Sequence, residues 1–300
     1  MLKLESIQAF AAIAEARSIS GAARRLSLSK SVVSERLAEL ERSLGAKLIH
    51  RTTRTLVLTE DGNAFRARAQ RILSEVDGAA SELAERRGNL AGPLRISGPV
   101  SFGVLHLGPA LCGFMSKNPA IDLTLDLDDR FVDIVAGGYD VVVRHGPVDD
   151  KRVIVKRIAR SRRLLVASPD YLKRHGNPGS LQELTQHQGI IYSNRGSADW
   201  RFQNGRKFVT VRPRGAISVN NGLVMRDAAI AGLGIALLTT FILHEPMKKG
   251  ALKAIDVGAE PEGATIYIAY PQHLRSSAKV RALTAWLQQC FGNPVYWEDA

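Results

Sequence analysis

The first sixty residues carry three short stretches in which apolar residues recur at helical spacing. The first stretch places on one helix face Leu4, Ile7, Phe10, Ala11 and Ala14. The second follows the capping residue Ser18 and buries Ile19, Ala22, Ala23 and Leu26. The third follows the capping residue Ser29, stops at Gly45 and carries inward Val33, Leu37, Leu40 and Leu44. Only Ser27 and Leu28 separate the last two, so the pattern predicts a helix-turn-helix.

The outward face of the third helix begins with short or hydrogen-bonding side chains. Residues at this end of a recognition helix meet base edges in the major groove of DNA. We therefore expect DNA contacts from Ser29, Lys30, Ser31, Val32, Ser34, Glu35 and Arg36.

Residues 48–58 have the pattern of a β-hairpin with a basic turn, followed by the strand residues Leu56-Val57-Leu58. Arg51, Thr53 and Arg54 at its tip suit contacts with phosphate or the minor groove. Positive charge alone is also compatible with a solvated surface, and this alternative stays open for Arg24, Arg25, Lys30, Arg36, Arg51 and Arg54. The order of three helices and a basic hairpin predicts a winged helix-turn-helix over residues 1–58, with double-stranded promoter DNA as its partner.

Residues 59–88 predict one long helix, capped by Thr59. Apolar residues along it alternate spacings of four and three, as in a coiled-coil seam. The seam consists of Phe65, Ala69, Ile72, Val76, Ala79 and Leu83. Because a seam needs a partner, we expect a dimerisation helix and a homodimer. The alternative is a helix that packs on its own domain.

Composition narrows the class of protein without deciding it. The chain has 300 residues, 45% of them hydrophobic, and a formal net charge of +12, which favours polyanions or anionic ligands. Basic residues also crowd a stretch past the middle, where a solvated surface is the default interpretation, and the stretch includes Lys151, Arg152, Lys156, Arg157, Arg160, Arg162 and Arg163. Cys112 and Cys290 are expected to be buried free thiols.

No catalytic motif, metal-ligand spacing or cofactor-binding loop stands out, so we expect neither an enzyme nor a cofactor nor a metal. His106, His145 and His175 are scattered, which favours structural or exposed positions. We see no export signal and no apolar run of about 20 residues. These features predict a cytoplasmic protein without a membrane partner.

Glycine and proline interrupt the heptads at residues 89–93, which predicts a hinge before a domain spanning 94–300. Beyond it, strands and helices alternate: a strand at 94–97, a helix from about 102 to 117, a strand at 121–127, a helix through Val135 and a strand at 140–144. A second set runs from Leu164 to Leu238, and a strand at 266–270 and a helix at 277–291 close the chain. The alternation predicts parallel βαβ units in an open α/β sheet. Together with the mainly helical N-terminal part, this predicts an α+β chain overall.

The chain resembles LysR-type transcriptional regulators over essentially its whole length. The resemblance rests on the order and spacing of several motifs: Ser18-Ile19-Ser20-Gly21-Ala22-Ala23, Leu28-Ser29-Lys30-Ser31-Val32-Val33-Ser34, Arg51-Thr52-Thr53-Arg54, Leu58-Thr59-Glu60-Asp61-Gly62, Gly98-Pro99-Val100-Ser101-Phe102-Gly103, Asp140-Val141-Val142-Val143-Arg144 and Gly232-Leu233-Gly234-Ile235-Ala236. It implies a ligand-responsive regulator that binds an interrupted palindrome as a homodimer or homotetramer. RNA polymerase is a further partner to consider.

The resemblance also implies an effector-binding domain of two periplasmic-binding-protein-like subdomains, I over about 94–160 and 267–292, and II over about 161–266. Two crossovers join them, near residues 160–162 and 265–269. A small-molecule effector, an organic or aromatic acid, is expected in the cleft between them. By motif position its contacts are Pro99, Val100, Ser101, Phe102, Asp128, Arg130, Tyr192, Ser193, Asn220, Asn221 and Gly222. For Asn220-Asn221-Gly222, a simple cap and turn is the alternative.

Two positions depart from the family pattern. Lys30 stands where a glutamine is usual, and Glu35 stands where a basic or amide residue is common. A carboxylate repels phosphates but accepts a hydrogen bond from cytosine. Base preference is therefore expected to differ from that of relatives. Two other classes stay open: a cytoplasmic small-molecule-binding protein of periplasmic-binding-protein type, and an α/β enzyme.

Overall fold

Two units make up the fold of this chain in a computed structural model. The structure describes residues 2–51, 56–85, 90–130, 132–134, 137–146, 148–194, 200–205, 207–292 and 295–298. Unit 1 comprises Met1–Gly92 with Asp133–Gly138, and unit 2 comprises Pro93–Val132 with Tyr139–Ala300. Across these ranges, none of the helices has the length and apolar character of a membrane span.

Unit 1 contains the three expected helices, the hairpin and the long helix. Their bounds are α1 Leu4–Ala16, α2 Ile19–Arg25, α3 Lys30–Leu44, β1 Ile49–Arg51, β2 Leu56–Leu58 and α4 Glu60–Glu85. The predicted caps are confirmed: the Ser18 hydroxyl accepts a hydrogen bond from the Gly21 amide, and Ser29 accepts one from Val32. Gly45 ends α3 in the left-handed conformation, with φ 66°. Strands β1 and β2 pair antiparallel, as the hairpin pattern predicts.

The core of unit 1 joins α1, α2 and α3 through fully buried side chains such as Phe10, Val33 and Leu37. One buried charge belongs to this core. The Glu41 carboxylate, 7% exposed, accepts hydrogen bonds from the backbone amides of Leu48 (3.0 Å) and Ile49 (3.3 Å). Leu48 directly precedes β1 and Ile49 is its first residue, so Glu41 fixes the hairpin to α3.

The start of α4 lies against the backbone of the segment before β1. The Thr59 hydroxyl accepts a hydrogen bond from the Gly62 amide, as its predicted capping role requires. A Cβ atom on Gly62 would lie 2.0 Å from the Leu48 carbonyl oxygen, far inside van der Waals contact. Only glycine permits this approach, which explains a glycine within the first turn of α4.

The apolar seam along α4 has a buried part and an exposed part. Ala69 is fully buried in the core of unit 1, and Phe65 packs against the same core with its ring centroid 5.6 Å from that of Phe10. The prediction that all six seam residues face a partner is therefore wrong for Ala69. Ile72 and Val76, in contrast, are exposed, at 38% and 44%. Ala79 is exposed too, and the side chain of Leu83 lies outside the described residues.

Unit 2 contains the remaining elements. The helices are α5 Val100–Phe102, which continues through a π-helical segment Gly103–Leu107 into α6 Gly108–Lys117, then α7 Pro169–His175, α8 Leu181–Leu184, α9 Gly222–Ile230, α10 Thr240–Lys248 and α11 Ala278–Phe291. The strands are β3 Gly92–Gly98, β4 Ile121–Leu127, β5 Val141–His145, β6 Val153–Ser161, β7 Arg163–Ala167, β8 Gln188–Tyr192, β9 Arg201–Asn204, β10 Lys207–Thr210, β11 Arg214–Val219, β12 Ile235–Thr239, β13 Lys253–Ile255, β14 Glu260–Pro261 and β15 Ala264–Pro271.

Two five-stranded sheets organise these elements. The first has the order β4-β3-β5-β15-β6 and the second β11-β8-β12-β7-β13, with a small β10-β9-β14 sheet beside them. Both large sheets mix parallel pairs, such as β3–β5 and β8–β11, with antiparallel pairs, such as β5–β15 and β7–β12. The expected βαβ units are therefore present, but the sheets are not purely parallel.

The chain passes between the large sheets twice. The first passage is at Arg162, between β6 and β7, within the predicted range 160–162. The second runs from β13 of the second sheet to β15 of the first and includes β14 of the small sheet. The predicted range 265–269 is wrong, because those residues already pair with β5 and β6 inside the first sheet.

Three further expectations fail. Residues 132–134 are not helical, and the Gly137 amide closes only one turn onto the Asp133 carbonyl, so the helix expected through Val135 is not found in the described part of that segment. Cys112 is exposed and Cys290 half-buried, so neither is a buried thiol. The solvated surface expected for the basic stretch fails only at Arg163, which is buried, whereas Lys156, Arg157 and Arg160 are exposed on strand β6.

Candidate functional site

The N-terminal end of α3 exposes the side chains that the sequence assigned to DNA. Ser29, Lys30, Ser31 and Glu35 are exposed. Val32, Ser34 and Arg36 are half-buried along the same helix. The Ser29 and Ser31 hydroxyls lie 2.8 Å apart, and Ser29 also caps the helix. This end of α3 therefore exposes two serine hydroxyls together with the ammonium group of Lys30 and the carboxylate of Glu35.

The hairpin tip was the second predicted DNA contact. Arg51 ends β1, where it pairs with Leu56. Thr53 and Arg54 lie outside the described residues.

A cavity of about 260 Å³ lies in unit 2, between the ends of the two large sheets. Its wall comes from both sheets and from the helices that follow their strands. The lining residues are Pro99, Ser101, Phe102, Asp128, Asp129, Arg144, His145, Arg163, Tyr192, Asn194, Gly222, Met225, Leu237, Leu238, Thr239, Phe241 and Ile242. The volume is near the lower end of the range for small-molecule sites, ~300–1,000 Å³.

The first side of the cavity is the start of α5. Its first backbone amide, that of Val100, donates to the Asp129 carboxylate at 2.9 Å. Burial raises the pKa of Asp129, although the hydrogen bond from Val100 acts in the opposite direction. An incoming anion would therefore compete with a protein carboxylate for this helix end.

Opposite the start of α5 lies the start of α9. A Cβ atom on Gly222 would lie 3.3 Å from the Ser101 hydroxyl and 2.6 Å from Cδ1 of Ile242. The two helix starts thus approach each other across the cavity with no room for a larger residue. The carboxamide oxygen of Asn221 accepts hydrogen bonds from the amides of Leu223 and Val224, so this asparagine caps α9.

The cavity wall contains two arginines. Arg144 is the penultimate residue of β5 and donates to the Ser97 hydroxyl (2.9 Å) and to the Val143 carbonyl (2.7 Å). Burial lowers its pKa, and the nearby Tyr139, Asp128 and Asp129 partly offset that effect. Arg163 begins β7 and is only 6% exposed.

Protein donors already hold both carboxylates of the wall. The Arg130 guanidinium holds Asp128, with Nη2 2.6 Å from Oδ2, and its hydrogen bonds lower the pKa of Asp128 to about 2. Asp129 accepts from the Val100 amide. Arg130 itself is exposed. The wall also contains the two guanidinium groups of Arg144 and Arg163, and a guanidinium is a donor suited to a carboxylate.

The structure brings together about half of the predicted effector contacts. Lining the cavity are Pro99, Ser101, Phe102, Asp128, Tyr192 and Gly222. Outside its lining are Val100, Arg130, Ser193, Asn220 and Asn221. Sequence reasoning missed Arg144, which follows the buried apolar residues of β5, and Arg163, which precedes those of β7.

Sequence reasoning also missed an aromatic cluster behind the cavity. The ring of Phe102 lies 5.3 Å from that of Phe241 and 5.9 Å from that of Trp297. His106 is buried, as expected for a structural histidine, and lies 3.0 Å from the Phe241 carbonyl through Nε2. Burial lowers its pKa, so the imidazole is neutral near pH 7.

Two family models match the chain. The model described as "Bacterial regulatory helix-turn-helix protein, lysR family" matches residues 4–63. The model described as "LysR substrate binding domain" matches residues 87–291, more than half of the chain. The first contains α1, α2, α3 and the hairpin, and the second contains every residue that lines the cavity.

Individual relatives agree over nearly the full length. The regulator PtxR of Pseudomonas aeruginosa is 33% identical over 298 residues, which cover 98% of this chain and 95% of PtxR. Among solved structures, CrgA of Neisseria meningitidis has a TM-score of 0.62 at 27% identity and covers 96% of this chain and 99% of CrgA. The virulence activator AphB of Vibrio cholerae has a TM-score of 0.62 at 28% identity, with coverage of 95% and 98%.

These matches decide between the classes of protein that the sequence left open. The family consists of transcriptional regulators and not of enzymes, and the helix-turn-helix match excludes a protein that only binds solutes. Its members bind DNA and small-molecule effectors and form oligomers. The chain belongs to the LysR family, and it is a DNA-binding transcriptional regulator with an effector-binding domain.

Proposed function

We propose that this regulator binds an interrupted palindrome upstream of a target gene and changes transcription when a small organic or aromatic acid fills the cavity between its two large sheets. The two guanidinium groups in the cavity wall, those of Arg144 and Arg163, are the observation that carries the ligand class. A ligand carboxylate suits Arg163 and Arg144 geometrically, because a guanidinium binds a carboxylate in a bidentate manner.

The rest of the wall supports an acid with an apolar body. Phe102, Leu237 and Phe241 are buried apolar residues of the lining. Tyr192, at the end of β8, and Asn194, just beyond it, add hydrogen-bonding groups. A small acid with an aromatic or aliphatic body therefore matches both the size and the chemistry of the cavity.

The response to ligand follows from the two chain passages. A ligand that contacts both sheets stabilises the closed arrangement, in which the starts of α5 and α9 approach each other at Ser101 and Gly222. Such a ligand changes DNA binding only when its affinities for the closed and open arrangements differ. We infer that closure changes the spacing of the DNA-binding heads.

For the DNA-binding half, we propose a homodimer, or a tetramer of paired dimers, in which α3 enters the major groove. Exposed Ile72, Val76 and Ala79 supply the remaining apolar seam of α4 for a partner helix. The contacts with bases are assigned to Lys30, Ser31, Ser34 and Glu35, and RNA polymerase stays an expectation of the family resemblance alone.

The test combines DNA binding with ligand binding. Fluorescence anisotropy with DNA from upstream of the regulator's own gene should show salt-dependent binding, and the solution mass should be that of a dimer or a tetramer. Acetate, succinate and benzoate are then screened by thermal shift on the wild-type protein and on Arg163→Gln. At least one acid should stabilise the wild type and lose its effect in the variant. A monomer indifferent to DNA would refute the regulator, and equal stabilisation of both proteins would refute the role of Arg163.

A further inference from the structure

The short segment after α11 returns to the place where the chain passes between the two sheets. Residues 295–298 form a turn of 3₁₀ helix over Tyr296–Glu298. Trp297 within it is completely buried, and its indole Nε1 donates to the Arg160 carbonyl at 3.1 Å. Arg160 belongs to the end of β6, just before the first passage at Arg162.

Glu298 holds the passage itself. Its Oε1 accepts hydrogen bonds from the Arg162 backbone amide (2.8 Å) and from the Thr240 hydroxyl (2.8 Å), and its Oε2 accepts from the Arg162 guanidinium. The Arg162 carbonyl in turn accepts from the Thr240 amide at 2.9 Å. One carboxylate therefore joins the passage between the sheets to the start of α10. Burial acts to raise the pKa of Glu298, but these hydrogen bonds prevail and lower it, so the group is ionised at neutral pH.

The residues that this segment fixes are neighbours of the cavity wall. Arg163 and Thr239 line the cavity, and each is adjacent in sequence to a residue held by Glu298. The Trp297 ring lies 5.9 Å from the ring of Phe102 and 6.4 Å from that of Phe241, both of which line the cavity. The segment thus forms a second layer directly behind the wall.

Tyr296 completes the link to the other sheet. Its hydroxyl is hydrogen-bonded to Nδ1 of His106, which lies in the π-helical segment after α5. The Nε2 of the same imidazole lies 3.0 Å from the Phe241 carbonyl in α10. A neutral imidazole with its proton on Nε2 satisfies both partners, since Nδ1 then accepts from the tyrosine. His106 therefore bridges a helix of the first sheet and a helix of the second.

We propose that Trp297 and Glu298 are positioning residues of the effector cavity, which fix Arg163 and the start of α10 and so set the geometry that a bound acid meets. The inference rests on the proposed role of the cavity as the effector site. The segment after α11 belongs neither to the helix-turn-helix nor to the lining of the cavity, and positioning is the function that we assign to it.

The primary test needs no ligand. Hydrogen–deuterium exchange is compared among the wild type, Glu298→Gln and the control Asp150→Asn. The Asp150–Arg152 pair has the same arrangement of carboxylate, backbone amide and guanidinium and nearly the same side-chain exposure, 16% and 55% against 12% and 48% for Glu298 and Arg162. It joins neighbours in sequence, whereas Glu298 joins distant segments.

We expect Glu298→Gln to speed exchange by about tenfold at residues 160–163 and 239–242, since a charge-assisted hydrogen bond there is weakened. Asp150→Asn should leave those peptides unchanged. Equal exchange in the two variants would overturn the proposal. Exchange elsewhere in unit 2 serves as the reference for a general loss of stability.

The second test separates positioning from folding. Benzoate is titrated into folded protein well below the melting temperature, with the emission of Trp297 as the readout after Trp200 and Trp286 are replaced by phenylalanine. Glu298→Gln should weaken benzoate binding by about tenfold, and Thr240→Val combined with it should add little, because both act through one link. Unchanged binding would overturn the proposal. If the wild type binds none of the three acids, the proposed ligand class fails, and the exchange experiment alone decides on positioning.

Discussion

The DNA-binding head and the effector cavity are built in opposite ways. The residues that we propose for contacts with base edges all lie at the start of one helix, from Ser29 to Arg36. The cavity draws its lining from seven separate segments between Pro99 and Ile242. A single helix sets the geometry of the first site, whereas packing between distant segments sets the geometry of the second. The head should therefore respond to changes within one helix, and the cavity to changes far along the chain.

The largest effect is expected where the head does depend on a distant contact. In Glu41→Ala the amides of Leu48 and Ile49 lose their acceptor in a buried place, which costs about 2–4 kcal/mol and loosens the hairpin. Thermal unfolding of the head should shift downwards, and DNA affinity should fall although Glu41 contacts no base. The control Glu35→Ala removes an exposed carboxylate of the same helix and should leave the melt nearly unchanged. Equal melts for both variants would show that Glu41 is not a structural anchor.

The sequence predicted the head well because its signals are local. Capping by Ser18, Ser29 and Thr59 and termination at Gly45 each depend on residues within four positions of one another. The sequence did not show Glu41 as the anchor of β1, because its partners lie seven and eight residues away.

For the cavity, the sequence pointed to loop motifs and missed most of the chemistry. Arg163 stood in a run of seven basic residues, and nothing in the run distinguishes the one that folding buries. Asn221 was expected to contact the effector, but its side chain caps α9. Thr239 and Phe241 reach the cavity only because α10, a helix with an internal Pro246, begins at its edge. The packing of the sheets determines which residues reach the cavity, and the periodicity of the sequence does not predict that packing.

The second prediction concerns the seam that both halves of a dimer would share. Val76→Asp places a charge on an exposed apolar position of α4, and burial of that charge in a partner seam should weaken dimerisation by about 100-fold. Solution mass by light scattering across a dilution series measures the effect. Val57→Asp alters an equally exposed valine on β2, and the mass should stay that of the wild type. Unchanged mass in Val76→Asp would move the dimer contact away from this face of α4.

The third prediction tests whether the close approach of α5 and α9 is required for ligand binding. Gly222→Ala places a methyl group 3.3 Å from the Ser101 hydroxyl and forces Ile242 to move, so closure should be impeded. Binding of the acid identified by thermal shift should weaken by about tenfold, the loss of roughly one good contact. Gly179→Ala adds its methyl group in open space and is the matched control. If both variants bind the acid equally well, closure at this point does not govern affinity.

Glu35→Gln is expected to have the smallest effect on DNA affinity. It is also the sharpest test of the proposed base contacts at the start of α3. Glu35 is exposed near the start of α3, and the change removes a repulsion towards phosphates while it replaces an acceptor of cytosine by an amide that also donates. Selection from a randomised operator should therefore show an altered preference at one base pair per half-site, whereas affinity for the best site changes by less than about tenfold. The same substitution at Glu39, one turn along the helix and paired with Lys3, should alter neither. An unchanged base preference would remove Glu35 from the recognition surface, and the local construction of the head would then rest on Lys30, Ser31 and Ser34.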